Sequence, residues 1–134
     1  MKILILGLLV AGIGFLLWWQ WSVLRKAQRN VGRPVPDTTA IDGTNRAARR
    51  IYFFHAAHCG PCRAAAPLVD RLRREYPNLV KVDVASHPEL ARGFGVAATP
   101  TFIVVANDRI DEVRLGGVTE AWLRHRLNIE EAAC

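Results

Sequence analysis

The sequence predicts an α/β domain whose mixed central sheet is flanked by helices and preceded by one transmembrane helix. Three observations lead to this prediction. Residues 3–19 contain no charged side chain, and from residue 49 short apolar runs alternate with amphipathic stretches. The last two apolar runs are separated by the turn-forming pair Asn107-Asp108, as in a β-hairpin. Strands that alternate with helices and then form a hairpin give the order β-α-β-α-β-β-α, which combines parallel and antiparallel pairs.

Residues 1–24 are predicted to form a transmembrane helix that is retained as an uncleaved signal anchor. At about 1.5 Å per residue, roughly 20 residues cross a hydrocarbon core of about 30 Å, so the apolar residues 3–21 are long enough. Trp18, Trp19 and Trp21 lie at one end of this segment, as in an interfacial aromatic belt. A cleaved signal peptide is the alternative, and Lys2 with the apolar core fits it. The bulky end of the segment, however, lacks the small residues of a cleavage site.

The distribution of positive charge predicts how this single-pass protein lies in the cell (inner) membrane. Lys2 and the terminal amine precede the span, whereas Arg25, Lys26, Arg29 and Arg33 follow it. Positive residues tend to stay on the cytoplasmic side, which favours a cytoplasmic domain. The periplasmic or extracytoplasmic side remains open, since N-terminal anchors that export their domain also exist.

Residues 25–48 are predicted to be a linker. Pro34 and Pro36 restrict the residues before them to extended conformations, and residues 38–45 are polar and turn-rich. A short edge strand at residues 35–41 is the alternative, and the plain linker is favoured. A folded domain at residues 49–130 follows, with a tail at 131–134 that contains Cys134.

Hydrophobic periodicity places the elements of the domain. A continuous apolar run is typical of a strand that is covered on both faces. Alternation of apolar and polar residues is typical of a half-buried strand, and apolar residues at i and i+4 are typical of a helix. The predicted strands are Ile51–His55, Leu79–Val84, Thr101–Val105 and Ile110–Leu115. The predicted helices are Pro61–Tyr76, with Pro67 inside it, a short one at residues 86–93, and a last one capped by Thr119.

Charge and cysteine content exclude two classes of protein. The net charge is +6, but residues 46–134 carry 13 Lys/Arg against 10 Asp/Glu, so the domain has no strongly basic face for nucleic acid. The 3 cysteines do not form the widely spaced pairs of a disulfide-stapled secreted framework. No nucleic-acid partner is therefore expected.

Cys59 and Cys62 are the predicted catalytic pair. They follow a strand-like run, and Cys59 comes at the start of a helix, where unpaired N–H groups and the helix dipole favour a thiolate. Cys59 is therefore the expected nucleophile, and Cys62, one turn later, is placed to resolve a mixed disulfide.

The same stretch could also supply metal ligands. His55, His58, Cys59 and Cys62 are four soft or borderline donors. A strand residue and cysteines at a helix start do not easily converge on one tetrahedron, so neither a metal nor another cofactor is expected.

Several motifs together resemble the thioredoxin family. They are Phe54–Pro67 around Cys59-Gly60-Pro61-Cys62, Pro67 as the kink proline, Lys81 as the lysine beneath the site, Phe94–Thr101 as the cis-proline segment, and Gly116-Gly117 as the late glycine. The resemblance covers roughly residues 50–128. It implies a thioredoxin-like fold and a cis Pro100 beside the disulfide, which presents the Thr99 backbone to an extended substrate. It also implies that Gly60-Pro61 gives a reducing poise.

Three departures from the family pattern are evident. His58 replaces the usual tryptophan before the first cysteine, and Phe53 occupies the position of a buried aspartate, so that Lys81 lacks its family partner. The first strand and helix of full thioredoxins are largely absent. His58 either tunes the Cys59 thiolate or is an exposed histidine with little effect, and both interpretations remain open. His55 is expected to be a buried or edge strand residue.

The sequence thus predicts a membrane-tethered thiol–disulfide oxidoreductase that reduces protein disulfides through Cys59 and Cys62. Its expected partners are protein disulfide substrates, a thiol electron donor, and the membrane, through residues 3–21. The first alternative is a metal carrier or metallochaperone that uses the same cysteines and His58. The second is a structural or assembly protein whose thiols are incidental.

Overall fold

The computed structural model describes residues 1–43 and 47–128. Its helices are α1 (Lys2–Gln28), α2 (Thr39–Asp42), α3 (Gly60–Glu75), α4 (Pro88–Phe94) and α5 (Glu120–Leu127). Its strands are β1 (Arg49–His55), β2 (Leu79–Asp83), β3 (Thr101–Ala106) and β4 (Arg109–Leu115). From residue 49 onward this is the predicted order of elements. The predicted tail with Cys134 and the predicted domain end at residue 130 lie outside the described residues.

A four-stranded mixed sheet with the strand order β2-β1-β3-β4 forms the centre of the domain. β1 pairs in parallel with β2, with Ile51 opposite Leu79, and antiparallel with β3, with Phe54 opposite Thr101. β3 and β4 are antiparallel. Residues 51–54 of β1 are fully buried, as predicted from their continuous apolar run. β1 begins two residues earlier than predicted, because the backbone of Arg49 and Arg50 continues the ladder to β3 although their side chains are charged.

Helices cover both faces of the sheet, and alternate residues of β1 point to opposite faces. Ile51 and Phe53 pack with Phe102 against α3 and α5. Tyr52 and Phe54 pack on the other face against α4, whose Phe94 ring centroid lies 5.0 Å from that of Tyr52.

The β3–β4 turn forms at the predicted pair. Asn107 has φ +50° and Asp108 has φ +58°. Positive φ at both central residues is the geometry of a type I′ turn, which matches the twist of the two strands. A β-bulge between Val104 and Val105 shifts the register of this hairpin.

The segment between α1 and β1 differs from a plain linker. α1 extends to Gln28, Pro34 forms an isolated bridge with Arg109, and α2 follows at residues 39–42. The edge strand considered at residues 35–41 is not formed: within the described part of the chain, the bridge lies at Pro34, and residues 39–42 are helical. Val35 and Ile41 pack on the Tyr52–Phe54 face of the sheet. Burying these side chains gives the segment a position on the domain.

Polar contacts hold α2 against the start of β1. The Tyr52 hydroxyl donates a hydrogen bond to Asp42, and Arg50, only 4% exposed, lies 3.9 Å from Asp42. Arg50 also donates to Asp108 at 2.8 Å. Burial raises the pKa of Tyr52, and the hydrogen bond to Asp42 adds to this shift. The buried arginine therefore has carboxylate partners from both the segment and the hairpin.

Candidate active site

Cys59 and Cys62 lie at the N-terminus of α3 and form a disulfide, with their Cα atoms 5.2 Å apart. Cys59 is the N-cap of the helix, and its Sγ accepts a hydrogen bond from the backbone N–H of Cys62 at 3.2 Å. Cys59 is more accessible than Cys62, which is 3% exposed and belongs to the core beneath α3. Cys59 is therefore the cysteine of the pair that is more open to an incoming substrate.

The Thr99–Pro100 peptide bond is cis, as expected from the resemblance. Pro100 is buried, and its carbonyl accepts a hydrogen bond from the Gly116 N–H at 2.8 Å. β3 begins at the next residue, Thr101, which pairs with Phe54 near the carboxyl end of β1. Because the loop to Cys59 leaves from that same end of β1, the cis-proline segment and the disulfide lie at one end of the sheet.

Aromatic rings form the floor beneath the buried cysteine. Phe53 is fully buried in the same cluster as Cys62, and its ring is stacked on Phe102 with centroids 4.7 Å apart. Trp122 of α5 meets Phe102 edge-on at 6.2 Å. Phe53 thus makes the floor apolar at the position where the family pattern has a carboxylate.

His55 also belongs to this floor, a role that its position in the sequence did not reveal. Its ring is half-buried and stacked on Phe53, with centroids 5.6 Å apart. Burial lowers the pKa of His55, and the positive charge of Lys81 lowers it further. The available signal was the alternation of Ile51, Phe53 and His55, which places all three on one face of β1.

Lys81 lies on β2 opposite Phe53, and its side chain pairs with a different acid from the aspartate of the family pattern. Its ammonium group donates to both carboxylate oxygens of Asp70 on α3, at 3.1 and 3.3 Å. The missing aspartate was evident from the sequence, but only the packing of α3 on β2 shows which acid replaces it.

The comparisons with known proteins decide the family. The family model described as thioredoxin matches residues 44–128. The chain belongs to the thioredoxin family. Thioredoxin H5 of Oryza sativa is 46% identical over 83 residues, which cover 60% of this chain and 62% of that protein. The thioredoxin of Pyropia yezoensis is 35% identical over 79 residues, which cover 56% of this chain and 73% of that protein.

Solved thioredoxin structures agree with this assignment. A mutant thioredoxin from Halobacterium salinarum superposes with a TM-score of 0.60 at 27% identity, covering 70% of this chain and 84% of that one. The reduced Schistosoma mansoni thioredoxin pre-protein gives a TM-score of 0.55 at 31% identity, and the match covers 63% of this chain and 81% of that one. The predicted thioredoxin-like fold is therefore confirmed, and so is the predicted class of chemistry, that of the thiol–disulfide oxidoreductases.

Within this thioredoxin domain, the rim of the site differs from its floor. His58 is exposed in the loop just before Cys59. Gly60 and Pro61 form the accessible first turn of α3. A Cβ at Gly60 would meet no atom within 4 Å, and Gly60 has no positive φ. This glycine therefore leaves space beside Cys59 that an approaching backbone can occupy.

Among residues 1–43 and 47–128, no three His, Cys, Asp or Glu side chains are grouped so that they could hold a metal ion. The reason is the strand geometry, which stacks His55 on the floor while His58 remains on the exposed loop.

Proposed function

We propose that this protein is a membrane-tethered thiol–disulfide oxidoreductase that reduces protein disulfides through Cys59 and Cys62. The observation that carries the proposal is the unequal exposure of two cysteines at the N-terminus of α3. The more exposed cysteine, Cys59, would attack, and the shielded Cys62, one helical turn further on, would resolve the mixed disulfide.

The reaction consists of two exchanges. In the reduced enzyme the thiolate of Cys59 attacks one sulfur of a substrate disulfide, a mixed disulfide forms, and the departing substrate thiolate takes up a proton. Cys62 then loses its proton and attacks the Cys59 sulfur. The Cys59–Cys62 disulfide forms, and the second substrate thiol is released. A thiol electron donor reverses both exchanges on the enzyme, so that each cycle moves two electrons.

The remaining site residues would serve the two exchanges. The N-terminus of α3 stabilises the negative charge on Cys59. Pro100 supports the Thr99 backbone, which would pair with an extended substrate segment. Gly60 and Pro61 keep the approach open, His58 lies at the rim, and Lys81 contributes positive charge on the α3 side of the sheet.

Reduction is favoured over oxidation for two reasons. Gly60-Pro61 is the dipeptide associated with a reducing poise, and thioredoxin itself has a reduction potential of about −270 mV. In addition, the apolar residues around Phe53 supply no buried charge that would further stabilise the Cys59 thiolate.

Residues 3–21 of α1 would anchor the enzyme in the cell (inner) membrane. α1 is long and apolar enough to cross a membrane, with a mean hydropathy of 2.1 in its most apolar window. Residues 1–21 are all exposed, as expected for a surface that contacts lipid. The basic residues after the span favour a cytoplasmic domain, and an extracytoplasmic domain is the alternative.

Trapping with Cys62→Ala tests the proposed function. In a Cys134→Ser background this variant should accumulate mixed disulfides through Cys59, which non-reducing electrophoresis reveals and mass spectrometry assigns. The matched control, in which Cys59→Ala is added, should trap nothing. If no mixed disulfide forms and the purified wild-type protein does not reduce insulin in detergent, the proposed function is wrong.

A further inference from the structure

The end of α1 is attached to the edge of the sheet. The Gly32 N–H donates to the Ile110 carbonyl at 2.7 Å, and the Ile110 N–H donates to the Arg33 carbonyl at 3.0 Å. Further back along the chain, the Gln28 side-chain amide donates to the Val113 carbonyl at 3.4 Å. Lower residue numbers in this segment therefore meet higher numbers in β4, so that the chain leaving α1 runs antiparallel to β4.

Asn30 fixes this attachment. It is 8% exposed, its amide donates to the Gly95 carbonyl at 3.2 Å, and its oxygen accepts from Arg33 at 2.9 Å. Gly95 has φ +69°, and a Cβ at this position would lie 2.4 Å from the Asn30 amide nitrogen. The close approach therefore depends on a glycine at the C-terminus of α4.

The direction of the attachment places the membrane at the active-site end of the domain. β4 ends at Leu115, and the next residue, Gly116, donates to the carbonyl of cis Pro100. From Val113 to Gly116 the strand advances about 10 Å. Continued along the line of this attachment, the helix advances about 10 Å from Gln28 back to Trp21. This extrapolation brings Trp21, which ends the apolar span, near the level of Pro100 at the disulfide end of the sheet.

Exposure along α1 agrees with this placement. Residues 1–21 are exposed, whereas Ser22 and Val23 are half-buried. Full exposure therefore ends where the apolar span ends, and the first hydrogen bond from α1 to the domain follows at Gln28. A free linker over residues 25–48 would allow a reach of about 80 Å, but the attached segment leaves no such slack.

The charge of the junction also fits a bilayer surface. The first 36 residues contain no acidic side chain, and Arg25, Lys26, Arg29 and Arg33 follow the span directly. The Arg25 guanidinium lies 3.4 Å from the centre of the Trp21 ring. Basic residues beside interfacial tryptophans interact favourably with anionic headgroups.

We propose that the dithiol end of the domain faces the bilayer at headgroup level, and that its redox partners are disulfides of integral membrane proteins at that level. This inference rests on the proposed function and names the substrate class of the same site. A soluble disulfide far from the membrane would be a poor substrate, because α1 does not release the domain to reach it.

A depth measurement on the full chain tests the orientation. A fluorophore is attached to Cys59 in the Cys62→Ala, Cys134→Ser variant, which is reconstituted in phosphatidylglycerol/phosphatidylcholine vesicles with headgroup spin-labelled lipid. The comparison probe is Ala48→Cys in the variant that lacks all native cysteines. Residue 48 precedes β1, at the opposite end of the strand from the site and about 20 Å away. The Cys59 probe should be quenched at least about two-fold more than the residue 48 probe, as this separation predicts.

An insertion variant tests whether the attachment sets this orientation. Six Gly/Ser residues between Gln28 and Arg29 detach α1 from the register with β4, and quenching at Cys59 should fall to that at residue 48. Quenching that is equal at the two positions in the unmodified chain would overturn the inference, as would full quenching at Cys59 after the insertion.

Two model substrates test the partner class. Each is a transmembrane peptide that carries one disulfide loop, either at headgroup level or on a helical stalk of about 30 Å. Wild-type protein in vesicles should reduce the first at least about tenfold faster, because of its higher effective concentration, and the insertion variant should reduce both alike. Equal rates for the wild type would overturn the partner class. Loss of insulin reduction in detergent, with the depth result intact, would instead contradict the proposed function.

Discussion

Reduction of the Cys59–Cys62 disulfide should destabilise the domain by a modest amount that can be worked out from the structure. The two cysteines are 3 residues apart in sequence, so the disulfide closes a very short loop. The chain-entropy relation assigns such a loop about 2 kcal/mol of stabilisation, because it restricts the unfolded chain. This is the contribution that the oxidised form has and the reduced form lacks.

An opposing effect favours the reduced form. In the dithiol state the Cys59 thiolate at the N-terminus of α3 gains about 0.3–1 kcal/mol from the helix dipole. The apolar floor formed by Phe53 and Phe102 adds no charge that would stabilise the thiolate further. The oxidised form should therefore be more stable by a net amount of about 1–2 kcal/mol.

Equilibrium denaturation of the full chain in detergent measures this difference. The Cys134→Ser variant is unfolded by urea or heat, with and without an excess of a phosphine reductant, and followed by circular dichroism. For a domain of this size the melting temperature should be lower by about 5–15 °C after reduction. By the thermodynamic cycle, the folded dithiol should be about 20–40 mV more reducing than the same pair in the unfolded chain.

The direction of the difference can refute the proposed reductase. If the reduced form is as stable as the oxidised form or more stable, the folded disulfide is at least as oxidising as an unfolded pair. That is the behaviour of an oxidant, whose reduced form is the stabilised one. The Cys59→Ser, Cys62→Ser variant serves as the control, since the reductant should leave its melting temperature unchanged.

Three further predictions concern single positions. Gly95→Ala should lower the free energy of unfolding by about 1–2 kcal/mol, because φ is +69° and Asn30 occupies the space of the Cβ. Gly117→Ala is the control, since its Cβ would meet no atom within 4 Å, and it should change the free energy of unfolding by less than about 0.5 kcal/mol. Equal melting temperatures for Gly95→Ala and Gly117→Ala would contradict the prediction. Thr119→Ala removes the N-cap of α5 and should cost about 1 kcal/mol in urea denaturation, and Thr119→Ser should restore most of it. Burial lowers the pKa of His55 in the folded protein, so on acidification the imidazole takes up a proton at a higher pH in the unfolded chain than in the folded one. The free energy of unfolding should therefore fall as the pH decreases below about 6.5. His55→Asn should flatten this dependence, and an unchanged pH profile in that variant would refute the lowered pKa of His55.

The sequence predicted the cysteine pair and most of the elements, because both predictions depend on local chemistry. The spacing of Cys59 and Cys62 at a helix start defines a dithiol, and apolar periodicity defines strands and helices. The cap at Thr119 followed from a short motif as well, whereas the cis bond before Pro100 was implied by the resemblance to the thioredoxin family. Each of these signals lies within a few residues, where propensity and periodicity are informative.

Only the tertiary structure decided which distant residues meet at the site. The replacement partner of Lys81, Asp70, comes from a helix packed across the strand. Alternation along β1 indicates that His55 and Phe53 share a face, but a contact between two elements depends on how whole elements pack, and no pattern along the chain encodes it.

The segment after the apolar span shows the same division. Its prolines and polar residues suggest a linker, since the sequence contains no continuous strand or helix pattern there. The structure attaches it through backbone hydrogen bonds to Ile110 and through the buried Asn30. Backbone groups carry no sequence signature, and a single asparagine is informative only once Gly95 is known to lie against it. The sequence thus determined that a pair of closely spaced cysteines follows an apolar helix, whereas the tertiary structure decided that the chain leaving that helix is attached to β4.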